Sequence, residues 1–301
     1  DDERINGNDS NELTINKTQL TDAGVYSVIV SSPISQVTSD GALVTIMADN
    51  INDGLIGHWK LNGNDEGDFV AIDSSQSFLD AELLEFLDGD PEWWVDGKID
   101  GSLKFTSENK NFLVVSEYEK PSNALTISAW VWASSSEPWG SILKNWGDGK
   151  AGQFHFGLNA SGQQLSNYIS TSKGKSYSVT EDESFPLESW QHVVTTVDGL
   201  SVKIYRNGKL VGSTPYQGAL VENELQSIGI GAKLNDDGSW VSDAAGYWNG
   251  KMDDIGLWNR ALTKAEILGI YQTGLDGNDL SNAKPVETVS PGVVSLSIVK
   301  T

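Results

Sequence analysis

No cysteine occurs in the 301-residue chain, which excludes a disulfide framework and any thiol chemistry. Basic residues are scarce: 20 Lys and Arg stand against 42 Asp and Glu, a formal charge of −22. No run of Lys or Arg concentrates the positive charge. Acidity of this size favours solubility and argues against nucleic acid or an anionic membrane as partner. It also disfavours a sulfated or uronic-acid polymer unless a basic patch forms locally. Long apolar runs are absent too, so nothing reaches the roughly 18 residues of a membrane-spanning helix. Histidine, at 3 copies, leaves few candidates for acid–base or metal chemistry. No leader is visible, and none is expected if the chain opens inside a domain of a longer protein.

What the chain does have is tryptophan, 11 residues of it. Large aromatics serve cores first and sugar-stacking platforms second. Period-two alternation recurs along the chain. Leu125, Ile127, Ala129 and Val131 share one face of a strand, with Trp130 and Trp132 on the other. Phe154, Phe156 and Leu158 oppose His155. Asn207-Gly208 between two alternating runs predicts a tight hairpin. These rhythms predict a two-sheet antiparallel sandwich. The stretch from Gly246 to Gly274 reads as a strand over Lys251–Trp258, a turn and a short helix. Thr263 and Glu266 have capping-box spacing, Ile267, Ile270 and Tyr271 follow at helical spacing, and Gly274 is expected to end the helix. Asp253 and Asp254 interrupt the strand. Strands usually exclude Asp, and adjacent strand residues are expected to point to opposite faces.

Gly250-Lys-Met-Asp-Asp-Ile-Gly-Leu-Trp-Asn-Arg-Ala-Leu-Thr-Lys-Ala-Glu-Ile267 resembles the closing motif of laminin-G-like, concanavalin A-like jelly rolls. Earlier matches come in the family's order: Gly54–Leu61, Ala71–Ser75, Leu125–Val131, Trp190–Thr196 and Val202–Val211. The resemblance covers roughly residues 51–275. It implies an all-β, concanavalin A-like antiparallel β-sandwich (jelly roll) with one short C-terminal helix. Trp59, Trp130, Trp190 and Trp258 match its core positions, and His58 and His192 its structural histidines.

Residues 1–47 resemble the C-terminal part of an immunoglobulin-like domain. Asp22-Ala-Gly24-Val-Tyr26 is that family's tyrosine-corner pattern, and Val28 stands where many relatives carry cysteine. The expected organisation is therefore a partial immunoglobulin-like sandwich over 1–47, the jelly roll over 51–275, and a linker with the start of a following segment over 276–301. The chain is expected to be a monomer within a longer extracellular or cell-surface protein.

Three kinds of chemistry bear on function. The carboxylate ladder of fold-related β-glucanases, spaced to flank a glycosidic bond, is absent. Glu181-Asp182-Glu183 comes nearest but sits in a polar loop. A glycoside hydrolase or lyase is thus the least favoured reading. The resemblance raises the expectation of one structural calcium ion, which takes six to eight oxygen ligands. Asp73, Asp253 and Asp254 are the candidates, with water-facing turn caps as the bland alternative. Sugar sites join an aromatic platform to polar side chains. Among the Trp residues that lie in loops beside Gly, Asn and Asp, Trp139, Trp146, Trp240 and Trp248 are the binding candidates. Asn145, Asp148 and Lys150 lie close to Trp146 as polar contacts. The alternative is that these rings plug the ends of the sandwich. The expected task is non-catalytic binding of a polysaccharide or glycan, or adhesion through one; the runner-up is a structural spacer or protein-binding module of a surface adhesin.

Overall fold

The computed structural model describes residues 5–6, 12–15, 22, 24–44, 50–63, 69–86, 93–147, 152–222, 225–235, 237–239, 246–286 and 296–297. The chain divides into two compact units, Asp1–Asp49 with Val286–Thr301, and Asn50–Pro285.

In the small unit, β1 (Ile5–Asn6) pairs with β2 (Glu12–Ile15), β3 (Gly24–Tyr26) with β6 (Ala42–Val44), and β4 (Ile29–Ser32) with β5 (Ser35–Thr38). Leu296–Ser297 adds to β2, so this late segment joins the small unit instead of starting a following one. The Tyr26 hydroxyl donates to the Asp22 carbonyl at 2.8 Å. Ile29, Val30 and Val37 are exposed.

The large unit holds two eight-stranded sheets. The front sheet runs β10 (Trp94–Ile99), β11 (Gly101–Phe105), β22 (Gly250–Trp258), β13 (Leu125–Ala133), β18 (Trp190–Val197), β19 (Ser201–Arg206) and β20 (Lys209–Pro215), with β7 (Leu55–Trp59) also on β22. The back sheet runs β17 (Ser176–Thr180), β16 (Leu165–Ser170), β15 (Phe154–Leu158), β14 (Ser141–Asn145), β21 (Ile228–Ile230), β12 (Phe112–Val115), β9 (Ala81–Leu84) and β8 (Val70–Ala71). The pairings among the described strands are antiparallel, as the alternation predicts. The core lies between the sheets. Ile127, Ala129 and Val131 of β13 meet Phe154, Phe156 and Ile169 there. A β-bulge between Ser128 and Trp130 on the pairing with β22, with Asp254 at φ +48°, breaks the alternation of the last strand.

Helix α1 (Lys264–Leu275) carries the expected capping box, Thr263 and Glu266 each bonded to the other's backbone. The helix runs one residue past Gly274. That glycine is required by packing, because a Cβ there would overlap the Trp130 indole. Ile267 and Ile270 cover Val194, Tyr205 and Trp258 on the outer face of the front sheet. Leu280 and Ala283 join the same cluster, so residues 276–285 are part of this unit and not a linker.

Candidate functional site

The alternation that buries Phe154, Phe156 and Leu158 turns His155 to the outer face of the back sheet. The same logic turns Tyr168 outward between buried Asn167 and Ile169. Strand register then aligns residues far apart in sequence. Lys144 pairs with His155, His155 with Tyr168, and Tyr168 with Ser178, one row across four strands.

Trp139 lies over this row. Its ring centroid is 5.7 Å from His155 and 5.3 Å from Tyr168, and Lys144 Nζ is 6.0 Å from the ring. The turn before β14 holds it there. Trp139 N donates to the Asn159 carbonyl at 2.9 Å, and the residue sits at φ +61°. Gly246 packs against its carbonyl so closely that a Cβ would overlap it. Trp139 is 39% exposed, Tyr168 is half-buried, and Ser176 and Ser178 are exposed beside it. The result is an open aromatic ridge edged by hydroxyls.

Beneath the Trp139 ring, Lys144 and His155 are buried. Burial pushes the Lys144 amine down to about 7, with the Lys233 charge adding to the effect. Burial and the Lys144 charge hold His155 well below the usual imidazole range, against its bond to Leu158. His155 is therefore neutral. Its Nε2–H donates to the Leu158 carbonyl at 3.1 Å, which leaves Nδ1 as a buried acceptor with no partner among the described residues.

The other binding candidates lie elsewhere. Trp248 is 1% exposed and belongs to the main core, where it meets Phe185 edge-on; it is no platform. Asn145 is also no ligand contact. It is fully buried, its amide donates to the Leu225 and Ser227 carbonyls, and its oxygen accepts from Gln153 N. It is a strut between loops. Trp146 is half-buried at the far end of β14, on the order of 20 Å of extended chain from Trp139. Trp240, Asp148 and Lys150 lie outside the described residues.

The carboxylates do not fit a calcium ion. Both Asp73 oxygens are taken: Oδ1 accepts from His58 N and Ser75 N, Oδ2 from Leu79 N and the Ser75 hydroxyl. Asp253 Oδ2 accepts from Lys98 N and Ile99 N. Asp254 Oδ1 meets His58 Nε2 at 2.7 Å and Oδ2 accepts from Leu280 N. On Asp73 and Asp254, N–H and O–H donors fill positions that a cation would need, and on Asp253 they fill Oδ2 but not Oδ1, one oxygen against the six to eight that calcium takes. Nor do the paired Asp residues face opposite ways. Met252 and Ile255 both enter the core, so the bulge turns the two residues between them outward together. Burial raises both carboxyls, that of Asp253 to about 8, and each lies near further negative charge. His58, Asp254 and Asp279 do offer ligand atoms within 4.8 Å of one another, but Lys60 Nζ already occupies Asp279 at 2.8 Å.

Glu181 is likewise structural, accepting from Leu165 N and Arg206 Nε. Sequence reasoning missed one aromatic group. Trp190, matched to the core, is half-buried on the outer front face. It lies 6.1 Å from Trp132, with Lys251 Nζ near both rings at 4.7 and 5.2 Å. Trp130, in contrast, is 2% exposed, stacked on Tyr271 of α1. Only the cross-strand register, with Trp132 opposite both Trp190 and Lys251, reveals the half-buried trio.

Two such sheets with one helix on the outer face define a concanavalin A-like β-sandwich. Residues 96–268 match the model of the concanavalin A-like lectin/glucanases superfamily, and the chain belongs to it. Comparison with curated proteins gave no match. Among solved structures, domain 4 of AbnA, a GH43 extracellular arabinanase from Geobacillus stearothermophilus solved with arabinotriose, is similar. It is 18% identical with a TM-score of 0.53, over 71% of this chain and 96% of that one. The binding domain of Paraclostridial Mosquitocidal Protein 1 aligns at 15% identity and a TM-score of 0.55, over 74% of this chain and 53% of its own. The binding domain of botulinum neurotoxin DC, solved with SialylT, aligns at 17% and 0.50, over 75% and 52%. The chain thus spans about half the length of the two toxin domains. At these identities the likeness is one of fold.

Proposed function

We propose that the large unit is a non-catalytic carbohydrate-binding module of an extracellular multidomain protein, with Trp139 and Tyr168 as its platform. The observation that carries this reading is a Trp left 39% exposed on an otherwise ordered sheet face, backed by Tyr168 and edged by Ser176 and Ser178. An indole face takes the apolar face of a sugar, and hydroxyls alongside take its polar rim. A fold relative solved with arabinotriose supports the reading. That no helix described is long and apolar enough to cross a membrane accords with it. The Tyr26–Asp22 bond supports residues 1–47 as the C-terminal part of an immunoglobulin-like domain. The exposed apolar residues of β4 and β5 favour a second role for that small unit, as a spacer that packs against another segment.

The test compares two tryptophans by glycan array, titration and melting. Trp139→Ala should weaken glycan binding several-fold to tenfold, about 1 kcal/mol, with a small loss of stability. Trp130→Ala should cost about 3–5 kcal/mol of stability, as a buried Trp truncation does. Undiminished binding by Trp139→Ala to a confirmed glycan would move the site elsewhere, with Trp132 and Trp190 next in line.

A further inference from the structure

The platform hides a cation with nothing to hold. Lys144 is 6% exposed, and among the described residues its ammonium has no hydrogen-bond or salt-bridge partner, only the Trp139 ring. Burying an ammonium without an acceptor is costly, and a methionine would fill the same space without that cost. The groups that face it do not help. His155, from β15, and Tyr168, from β16, lie in its row, and Lys233, from the segment after β21, adds like charge.

We infer that the sugar held on Trp139 is anionic, a uronate or sulfated residue whose charged group pairs with Lys144 Nζ while its ring stacks on the indole. The inference rests on the carbohydrate reading above and narrows it. The chain's overall charge of −22 does not forbid it. At physiological salt, charges beyond about 8 Å are screened, whereas a direct contact with a buried ammonium is screened much less. The carboxylate and the sulfate ester share this chemistry, and the binding assay separates them.

A proton link follows. The Lys144 amine sits near 7 in the free protein, so an anion binding at higher pH must bring a proton with it. Affinity should fall as pH rises above 7, by up to about tenfold per pH unit. His155 stays neutral throughout this range and contributes no slope of its own.

The experiment uses the full chain on an array of neutral, uronate and sulfated glycans. Titrations then follow with an oligogalacturonate, its methyl ester and a sulfated galactan oligosaccharide at pH 6.5 and 8.5. The wild type should bind anionic glycans at least tenfold more tightly than their neutral counterparts at pH 6.5, and lose roughly 25-fold of that affinity between the two pH values. Lys144→Met should bind charged and neutral forms alike, with no pH dependence. Trp139-dependent binding of neutral glycans, flat with pH, would overturn the inference and leave the platform standing. Absence of binding to every glycan class would overturn both. If Lys144→Met fails to fold, the wild-type pH profile and the acid-against-ester comparison decide alone.

Discussion

Asp253→Asn should make the protein more stable at neutral pH, and by more the higher the pH. The folded state holds this carboxyl up at about 8, against an ordinary 3.8, through burial first and the neighbouring Asp254 charge among the lesser causes. Between those values the folded chain keeps a proton that the unfolded chain has released. Stability from this group is therefore complete below pH 3.8 and drains away as pH rises through 8. The slope is about 1.4 kcal/mol per pH unit, which integrates to about 6 kcal/mol over the window. Asparagine keeps an oxygen for the Lys98 and Ile99 amides and cannot ionise. Other groups titrate in the same span. His192, at about 3, and His155 are held low by burial and push in the opposite direction below pH 6.5. Subtracting wild type from variant cancels them. The assay is urea unfolding by Trp fluorescence at pH 4.5, 6 and 7.5. The stability difference should widen in favour of Asp253→Asn by roughly 4 kcal/mol from the lowest to the highest pH. A constant difference, or a variant weaker at every pH, would refute the reasoning. It would mean that Asp253 is ionised in the fold and that a cation sits on its unpartnered Oδ1.

Excess EDTA should leave the melting temperature unchanged, because N–H donors and Lys60 already engage the candidate carboxylates; a drop of several degrees would restore the calcium site. Thr263→Ala removes one half of the capping box of α1. It should cost about 1 kcal/mol in chemical denaturation, and a loss below a few tenths would show that packing on Trp258 and Tyr205 alone holds the helix.

Local patterns carried the fold. Alternation named the strands of the sandwich, Asn207-Gly208 marked a hairpin that does join β19 to β20, and Thr263 with Glu266 marked the helix start. Each depends on neighbours a few residues apart, so the chain displays it directly.

The site itself was not legible, because strand register assembles it. Trp139 and Trp248 have like local company, and only the path of the chain sends one outward and the other into the core. Lys144, His155 and Tyr168 carry no shared motif; they meet because antiparallel pairing lays three strands side by side. One bulge residue turned both Asp253 and Asp254 to the same face, which period two forbids. Residues 276–285 read as linker by composition, yet Leu280 is fully buried because Asp254, 26 residues earlier, accepts its amide. Sequence alone determined the fold class, the start of its helix and the Asn207-Gly208 hairpin, since those follow from short-range periodicity and capping. The tertiary structure decided which aromatics face solvent and which charges lie buried without partners, since burial depends on contacts between segments far apart in the chain.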